Sequence, residues 1–447
     1  MPLLAPASPH VEVDAPLLDR FRAVRGHTEA FCAPLATEDY VVQSMADVSP
    51  TKWHLAHTTW FWETFVLTPY LDGYALYDER FPFLFNSYYV QAGERHCRAQ
   101  RGYLSRPTVA EVKRYRAHVD VHMVRLLDGL DETAHRTLAD TVEIGLHHEQ
   151  QHQELMVTDL KHVFAVNPLR PAYEPQPHVP ALDPGPANFV AFEAGLHEIG
   201  FAAPPDASTG ARFHFDNEGP RHRVFLEAYA LADRLVTNGD YLAFMEDGGY
   251  ERAELWLSMG FAHALEHGWT EPFYWERRDG QWMHYTMGGL RAVDPHEPVC
   301  HLSYFEADAF ARWAGARLPA EFEWEAAART VPMAGHFVES GRLHPASVIG
   351  ASGDGAPSAD ALSEGPALRQ MYGDVWEWTS SSYGPYPGYQ PVEGALGEYN
   401  GKFMCNQYVL RGGSCATSAS HIRPTYRNFF PPEATWQFSG LRLAKSL

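Results

Sequence analysis

From Thr137 to Val166 the chain contains no proline and reads as one helix. Inside it lies Leu146-His147-His148-Glu149-Gln150-Gln151-His152-Gln153-Glu154-Leu155. Residues four apart on a helix sit one above the other, so His148 and His152 can aim two imidazoles at one point. That is half of a metal site. Imidazole serves zinc, copper, iron and nickel alike, so the spacing leaves the metal open. A solvated face of polar histidines explains the same pair, and the remaining chain has to decide.

A length of 447 residues suits two domains. With 45% apolar and 13% aromatic residues there is ample material for two cores. A formal charge of −21 argues against nucleic-acid partners and anionic membrane surfaces, both of which call for a basic face. Cys32, Cys97, Cys300, Cys405 and Cys415 are scattered without a C-x-x-C pair, which suits a reducing compartment. Met1 to Val13 lacks a basic segment followed by an apolar run, and no stretch of about 18 apolar residues occurs. A soluble cytoplasmic protein is expected.

Taken in order, Pro16 to Cys32 is a candidate first helix. The second is expected to have Ser49 as its N-cap and Pro50 at its first helical position, and to stop before Pro69. On it His57 is expected between Trp53 and Phe61 at helical spacing, either as a core residue or as a ligand. Phe81 to Arg106 reads as a loop containing Asn86-Ser87-Tyr88-Tyr89 and the arginines Arg95, Arg98, Arg101 and Arg106. Pro107 opens a third helix to about Leu130, with Val109, Val112, Tyr115, Val119 and Met123 on one face. Four such helices predict a bundle in which His57 joins His148 and His152 from a facing helix. Three protein ligands leave coordination positions open, which marks a catalytic site.

Asn167 to Asn188 holds seven prolines and reads as a stiff linker. Short strands follow at Phe189–Phe192 and Gly195–Gly200, and the best helix beyond is Tyr304 to Trp313, capped by Ser303. Gly315 to Glu325, Gly373 to Trp378 and Arg411 to Ser414 add glycine-aromatic blocks. No internal repeat is visible. The expected organisation is a helical bundle over 12–166, a linker over 167–188 and a loop-rich α+β domain over 189–447.

These residues resemble a known pair of domains. The bundle with its early histidine and HxxxH is similar to DinB-type helical domains. The three glycine-aromatic blocks resemble the formylglycine-generating-enzyme fold, which is related to C-type lectins. In this order the pair resembles the ergothioneine-biosynthesis sulfoxide synthases. Ser49-Pro50-Thr51-Lys52-Trp53-His54-Leu55-Ala56-His57, Phe85-Asn86-Ser87-Tyr88-Tyr89 and Tyr426-Arg427-Asn428-Phe429-Phe430-Pro431-Pro432 carry the likeness. It implies a non-haem Fe(II) on His57, His148 and His152, with O2 as co-substrate and with hercynine and a thiol as substrates. It also implies that Gln151 hydrogen-bonds the hercynine imidazole and that Tyr88 or Tyr89 delivers a proton while the other packs. Arg98 is implied for the thiol's carboxylate, with Arg95 and Arg101 as weaker candidates. Asn428, Phe429 and Phe430 are implied at the hercynine pocket, where aromatic faces suit a quaternary ammonium. Cysteine is the thiol suggested by the tyrosine pair, with γ-glutamylcysteine next.

Two departures narrow the reading. Aligned on Arg411-Gly412-Gly413-Ser414, the copper-binding cysteines of formylglycine-generating enzymes become Thr417 and Ile422, which argues against sulfatase maturation. Ovothiol synthases usually carry a methyltransferase domain after these two, and here Leu447 follows the second domain, which points to the ergothioneine branch. Selenoneine synthesis stays close by. More remote are a zinc hydrolase, from the H-E-x-x-H spelled by His148 to His152, and a lectin-like binding module.

Overall fold

A computed structural model describes residues 12–129, 132–175, 178, 180–202, 213–348, 368–391 and 393–447. The chain divides into two compact units. The first holds the chain up to Tyr173 and takes in two later segments, Ala202–His214 and Gln390–Gly401.

Among the described residues four long helices build the first unit: α1 (Leu17–Cys32), α2 (Thr51–Trp62), α4 (Val109–Asp128) and α5 (Glu132–Val166), with a short α3 (Phe81–Phe85) between the second and third. α2 packs against both α4 and α5, and α1 packs against the same two. Every residue of α2 is buried. A helix buried on all sides needs no amphipathic stripe, so Lys52, His54, His57, Thr58 and Thr59 are enclosed polar groups that require internal partners. The face expected for α4 is the one it buries: Val109, Val112, Tyr115, Val119 and Met123.

Several local expectations are corrected. Pro50, not Ser49, is the N-cap of α2, and no side chain caps it. The Ser49 hydroxyl instead accepts from Arg101, and its backbone N–H goes to Asp159. α2 does not stop before Pro69. It continues through a π turn (Glu63–Leu67) into a last helical turn (Thr68–Tyr70) that contains the proline. The wider turn relieves the clash of a proline ring with the carbonyl four residues back. α4 begins at Val109 rather than Pro107, because Thr108 forms a reciprocal capping box with Glu111. Part of the stretch read as loop is α3.

Among the described residues the second unit contains four small sheets. β1 (Phe189–Phe192), β4 (Tyr229–Ala232) and β12 (Ala444–Ser446) pair antiparallel in the order β1-β4-β12. β2 (Gly195–Ile199) pairs with β3 (His222–Leu226), and β5 (Trp275–Arg278), β6 (Gln281–Thr286) and β7 (Gly289–Ala292) form a meander. The fourth sheet runs β10-β9-β8-β11, from β10 (Asn428–Phe430), β9 (Tyr408–Arg411), β8 (Trp376–Ser382) and β11 (Ser439–Gly440). Around them lie α6 (Asn238–Glu246), α7 (Ser258–His267), α8 (Tyr304–Trp313) and α9 (Glu321–Ala328). α8 has the expected Ser303 cap. α6 and α7 were not foreseen, since each is short and has a glycine, Gly239 or Gly260, within it.

The glycine-aromatic blocks turn out to carry this unit's buried ion pairs. Arg411 donates to Glu321 and Glu325, Arg427 grips Glu321 with two nitrogens, and Arg442 pairs with Glu377. Gly412 sits at φ +98°, where a Cβ would lie 2.9 Å from the Met371 carbonyl oxygen, so only glycine fits there. Among the described residues no helix is long and apolar enough to cross a membrane.

Candidate metal centre

α2 and α5 bring His57, His148 and His152 together in the first unit, with one ring nitrogen of each within 4.8 Å of the others. All three are buried. Burial pushes the three imidazoles down, His148 to about 3 and His57 and His152 well below the usual histidine value. They are therefore neutral at pH 7, the form that binds a cation.

Hydrogen bonds set the tautomers. His57 Nδ1 lies 2.5 Å from the Phe85 carbonyl oxygen, which can only accept, so Nδ1 carries the proton and Nε2 the lone pair. That Nε2 lies 3.1 Å from His148 Nε2. Two nitrogens bound to one ion by bonds of about 2.1 Å are about 3.0 Å apart at a right angle and about 3.4 Å apart at the tetrahedral angle. The donor set and its spacing fit a divalent transition metal.

The walls are aromatic. His57 stacks between Trp53 and Trp60, at centroid distances of 4.6 and 5.5 Å. The expected lower neighbour, Phe61, stacks instead on His148 at 4.5 Å. Three residues along a helix turn by 300° and four by 400°, so both neighbours were available and the facing helix took one. Gly145, one turn before His148, allows close approach: a Cβ there would meet the Trp62 ring at 2.6 Å.

Glu149 points away from the histidines. Its Oε1 accepts from Thr28 at 2.8 Å and Arg116 at 2.7 Å, its Oε2 from Arg25 at 3.0 Å and the Trp62 indole at 2.9 Å. Burial raises this carboxyl's pKa, but Arg25 and Arg116 outweigh it and hold the group well below the usual carboxylate range. Six residues earlier Glu143 is gripped by Arg20 and lies 3.1 Å from His147, whose ring stacks on Phe213.

Asn86 shapes the turn that carries the tyrosine pair, donating to the Tyr89 and Gly93 carbonyls and accepting from the Tyr89 N–H. Tyr89 is fully buried against Trp60, Phe61 and Phe65, whereas Tyr88 is half-buried, and the two rings stack at 4.5 Å. Burial raises the Tyr89 phenol well above its ordinary value.

Tyr399 escaped the sequence reading. It arrives with the late segment Gln390–Gly401, its hydroxyl donates to Gln151 Oε1, and its ring lies 6.1 Å from both Tyr88 and His148. Glu398 anchors it by accepting the backbone N–H groups of Val90 and Gln91 at 2.9 and 2.8 Å. Gly394, Gly397 and Gly401 interrupt any periodicity around Tyr399, so no local signal marked it.

The arginines separate clearly. Arg95 and Arg98 are exposed, and Arg98 donates to the Asp47 carbonyl. Arg101 is buried, its guanidinium 3.3 Å from the Trp53 ring centroid, with bonds to the Ser49 and Ser87 hydroxyls. Its Nε has no hydrogen-bond partner among the described residues. Asn428, Phe429 and Phe430 form β10 in the second unit, where Phe429 stacks on Tyr383 at 4.0 Å. Thr417 and Ile422 are buried there too, the Thr417 hydroxyl accepting from the Ser414 N–H.

Comparison with known proteins agrees with this architecture. The DinB superfamily matches residues 20–156 and the sulfatase-modifying factor enzyme 1-like domain residues 181–447. The hercynine oxygenase of Mycolicibacterium thermoresistibile is 34% identical over 430 residues, covering 89% of this chain and 87% of that protein. The chain belongs to the hercynine oxygenase family. The hercynine oxygenase of Mycobacterium tuberculosis is 39% identical over 246 residues, 51% of this chain and 55% of that protein. The formylglycine-generating enzyme of Streptomyces coelicolor is 29% identical over 298 residues, 59% of this chain and 93% of that protein.

Proposed function

We propose that this member of the hercynine oxygenase family is an oxidoreductase that joins hercynine to cysteine by O2-dependent C–S bond formation and sulfoxidation, with Fe(II) on His57, His148 and His152. The observation that carries the reading is three buried, neutral imidazoles converging beside a tyrosine cluster and a buried guanidinium. Bound iron would supply the redox centre that activates O2 and holds the thiolate. The chain's own residues bind, orient and shield. The Tyr399 hydroxyl donates to Gln151 Oε1 and so orients the amide, and Gln151 remains our candidate for the substrate imidazole. Tyr89, enclosed by rings, packs; Tyr88 has the access needed to pass a proton. Arg101 suits the thiol's carboxylate better than Arg98, because it is buried and forms no ion pair among the described residues. Asn428, Phe429 and Phe430 remain our candidates for the trimethylammonium group.

The zinc-hydrolase alternative loses its general base: both Glu149 oxygens are taken up by four donors. The test is anaerobic reconstitution with Fe(II), then hercynine, O2 and either cysteine or γ-glutamylcysteine, read by mass spectrometry. A hercynyl-cysteine sulfoxide formed with cysteine is the expected product, strongly reduced in Tyr88→Phe and largely kept in Tyr89→Phe. No C–S product from either thiol, with iron bound, overturns the proposal and moves attention to selenium donors.

A further inference from the structure

A buried polar chain ends on His152. Asp159 lies seven residues after His152 on α5, two turns along one face, and His54 lies one turn before His57 on α2. Asp159 Oδ2 sits 3.0 Å from His54 Nε2 and accepts the Ser49 backbone N–H at 2.8 Å. His54 Nδ1 in turn lies 2.9 Å from His152 Nδ1. All three side chains are buried.

Proton bookkeeping along this chain has one neutral solution. A carboxylate only accepts, so His54 Nε2 carries a proton and His54 Nδ1 a lone pair. The facing His152 Nδ1 must then be the donor, which puts the His152 lone pair on Nε2. We propose that Asp159 and His54 are positioning residues that lock His152 in its Nδ1–H tautomer and hold its ring so that Nε2 serves the metal. This rests on the reading that His57, His148 and His152 bind a metal. His57 gets the same service from a backbone carbonyl, whereas for His152 it comes from side chains that substitution can remove. Groups that orient a metal-bound histidine through its far nitrogen typically change metal affinity by about 10- to 100-fold.

The test titrates the full-length protein with Co(II), read by its d–d absorption, and measures Fe(II) affinity by chelator competition. Circular dichroism checks the fold, and a His57→Ala, His148→Ala double variant serves as the control that abolishes binding. His54→Leu is expected to weaken both metals about 10- to 100-fold and to shift the Co(II) bands. His54→Asn, whose Oδ1 falls near the place of the lost Nδ1, is expected to recover part of the affinity; Asp159→Asn, still able to accept from His54, loses less than His54→Leu. Wild-type affinity and spectrum in folded His54→Leu and Asp159→Asn overturn the inference. If His54→Leu does not fold, His54→Asn against His54→Gln decides: tighter binding by Asn supports it, equal binding overturns it. A wild-type chain that binds no Co(II) removes the metal reading itself, a different failure from metal binding that ignores His54.

Discussion

Both units bury charge, but they arrange it differently. In the first, buried histidines face one another from two helices, His148 and His152 on α5 and His54 and His57 on α2, beside ion pairs such as Arg25 with Glu149. In the second, buried pairs tie distant parts of the chain, Arg411 to Glu325 across 86 residues and Arg427 to Glu321 across 106. In the first, His57, His148 and His152 bring lone pairs towards a shared point; in the second, Arg411, Arg427 and Arg442 are each held against carboxylates. Neutral donors that converge on one point are the pattern of a candidate site, and charges closed on one another are the pattern of a scaffold.

The largest effect that tests this contrast should come from His148→Ala. We expect metal affinity to fall more than about 100-fold, since even groups one shell further out cost 10- to 100-fold, with helix content retained by circular dichroism. Next come Glu149→Ala and Glu325→Ala, each removing one carboxylate from buried arginines that keep a second one, Asp120 and Glu29 in the first case and Glu321 in the other. Each should cost at most about 3–5 kcal/mol in urea unfolding, the value for a buried charge left with no partner. They differ in a second readout: Glu149→Ala should also weaken metal binding, because its neighbour is His148, while Glu325→Ala should not.

A pH experiment sharpens the same point. Burial pushes the Glu143 carboxyl up, but His147 and Arg20 together pull it down to about 2. A depressed carboxylate stabilises the fold above its unfolded value near 4.5, and that stability is lost as pH falls towards 2. The advantage of wild type over Glu143→Gln should be of order 3 kcal/mol at pH 7 and should shrink between pH 4.5 and 2, followed by denaturant melts. The smallest effects belong to the caps: Thr108→Ala and Ser303→Ala should each cost about 1 kcal/mol, in either unit alike.

This contrast also explains what the sequence disclosed. His148 and His152 were legible because helical spacing places them together with no tertiary information, and the buried face of α4 was legible for the same reason. What neighbours a helix on its other sides is not a periodic property. So Trp60 replaced Phe61 beside His57, Arg101 rather than Arg98 turned inward, and Ser49 spent its hydroxyl on Arg101 instead of a cap. Tyr399 lies 248 residues from the Gln151 it touches. In the second unit, the blocks that carried the resemblance are those whose charges are closed on themselves, so their motif strength reports the scaffold.

The segment Gln390–Gly401 has a consequence for inheritance. A gene fragment encoding the chain only up to Tyr173 would specify the three histidines, the tyrosine pair and Arg101, but not Tyr399 or the Glu398 that moors it. Shuffling the helical half onto another partner would therefore leave behind the tyrosine and the glutamate that the later chain contributes to the first unit.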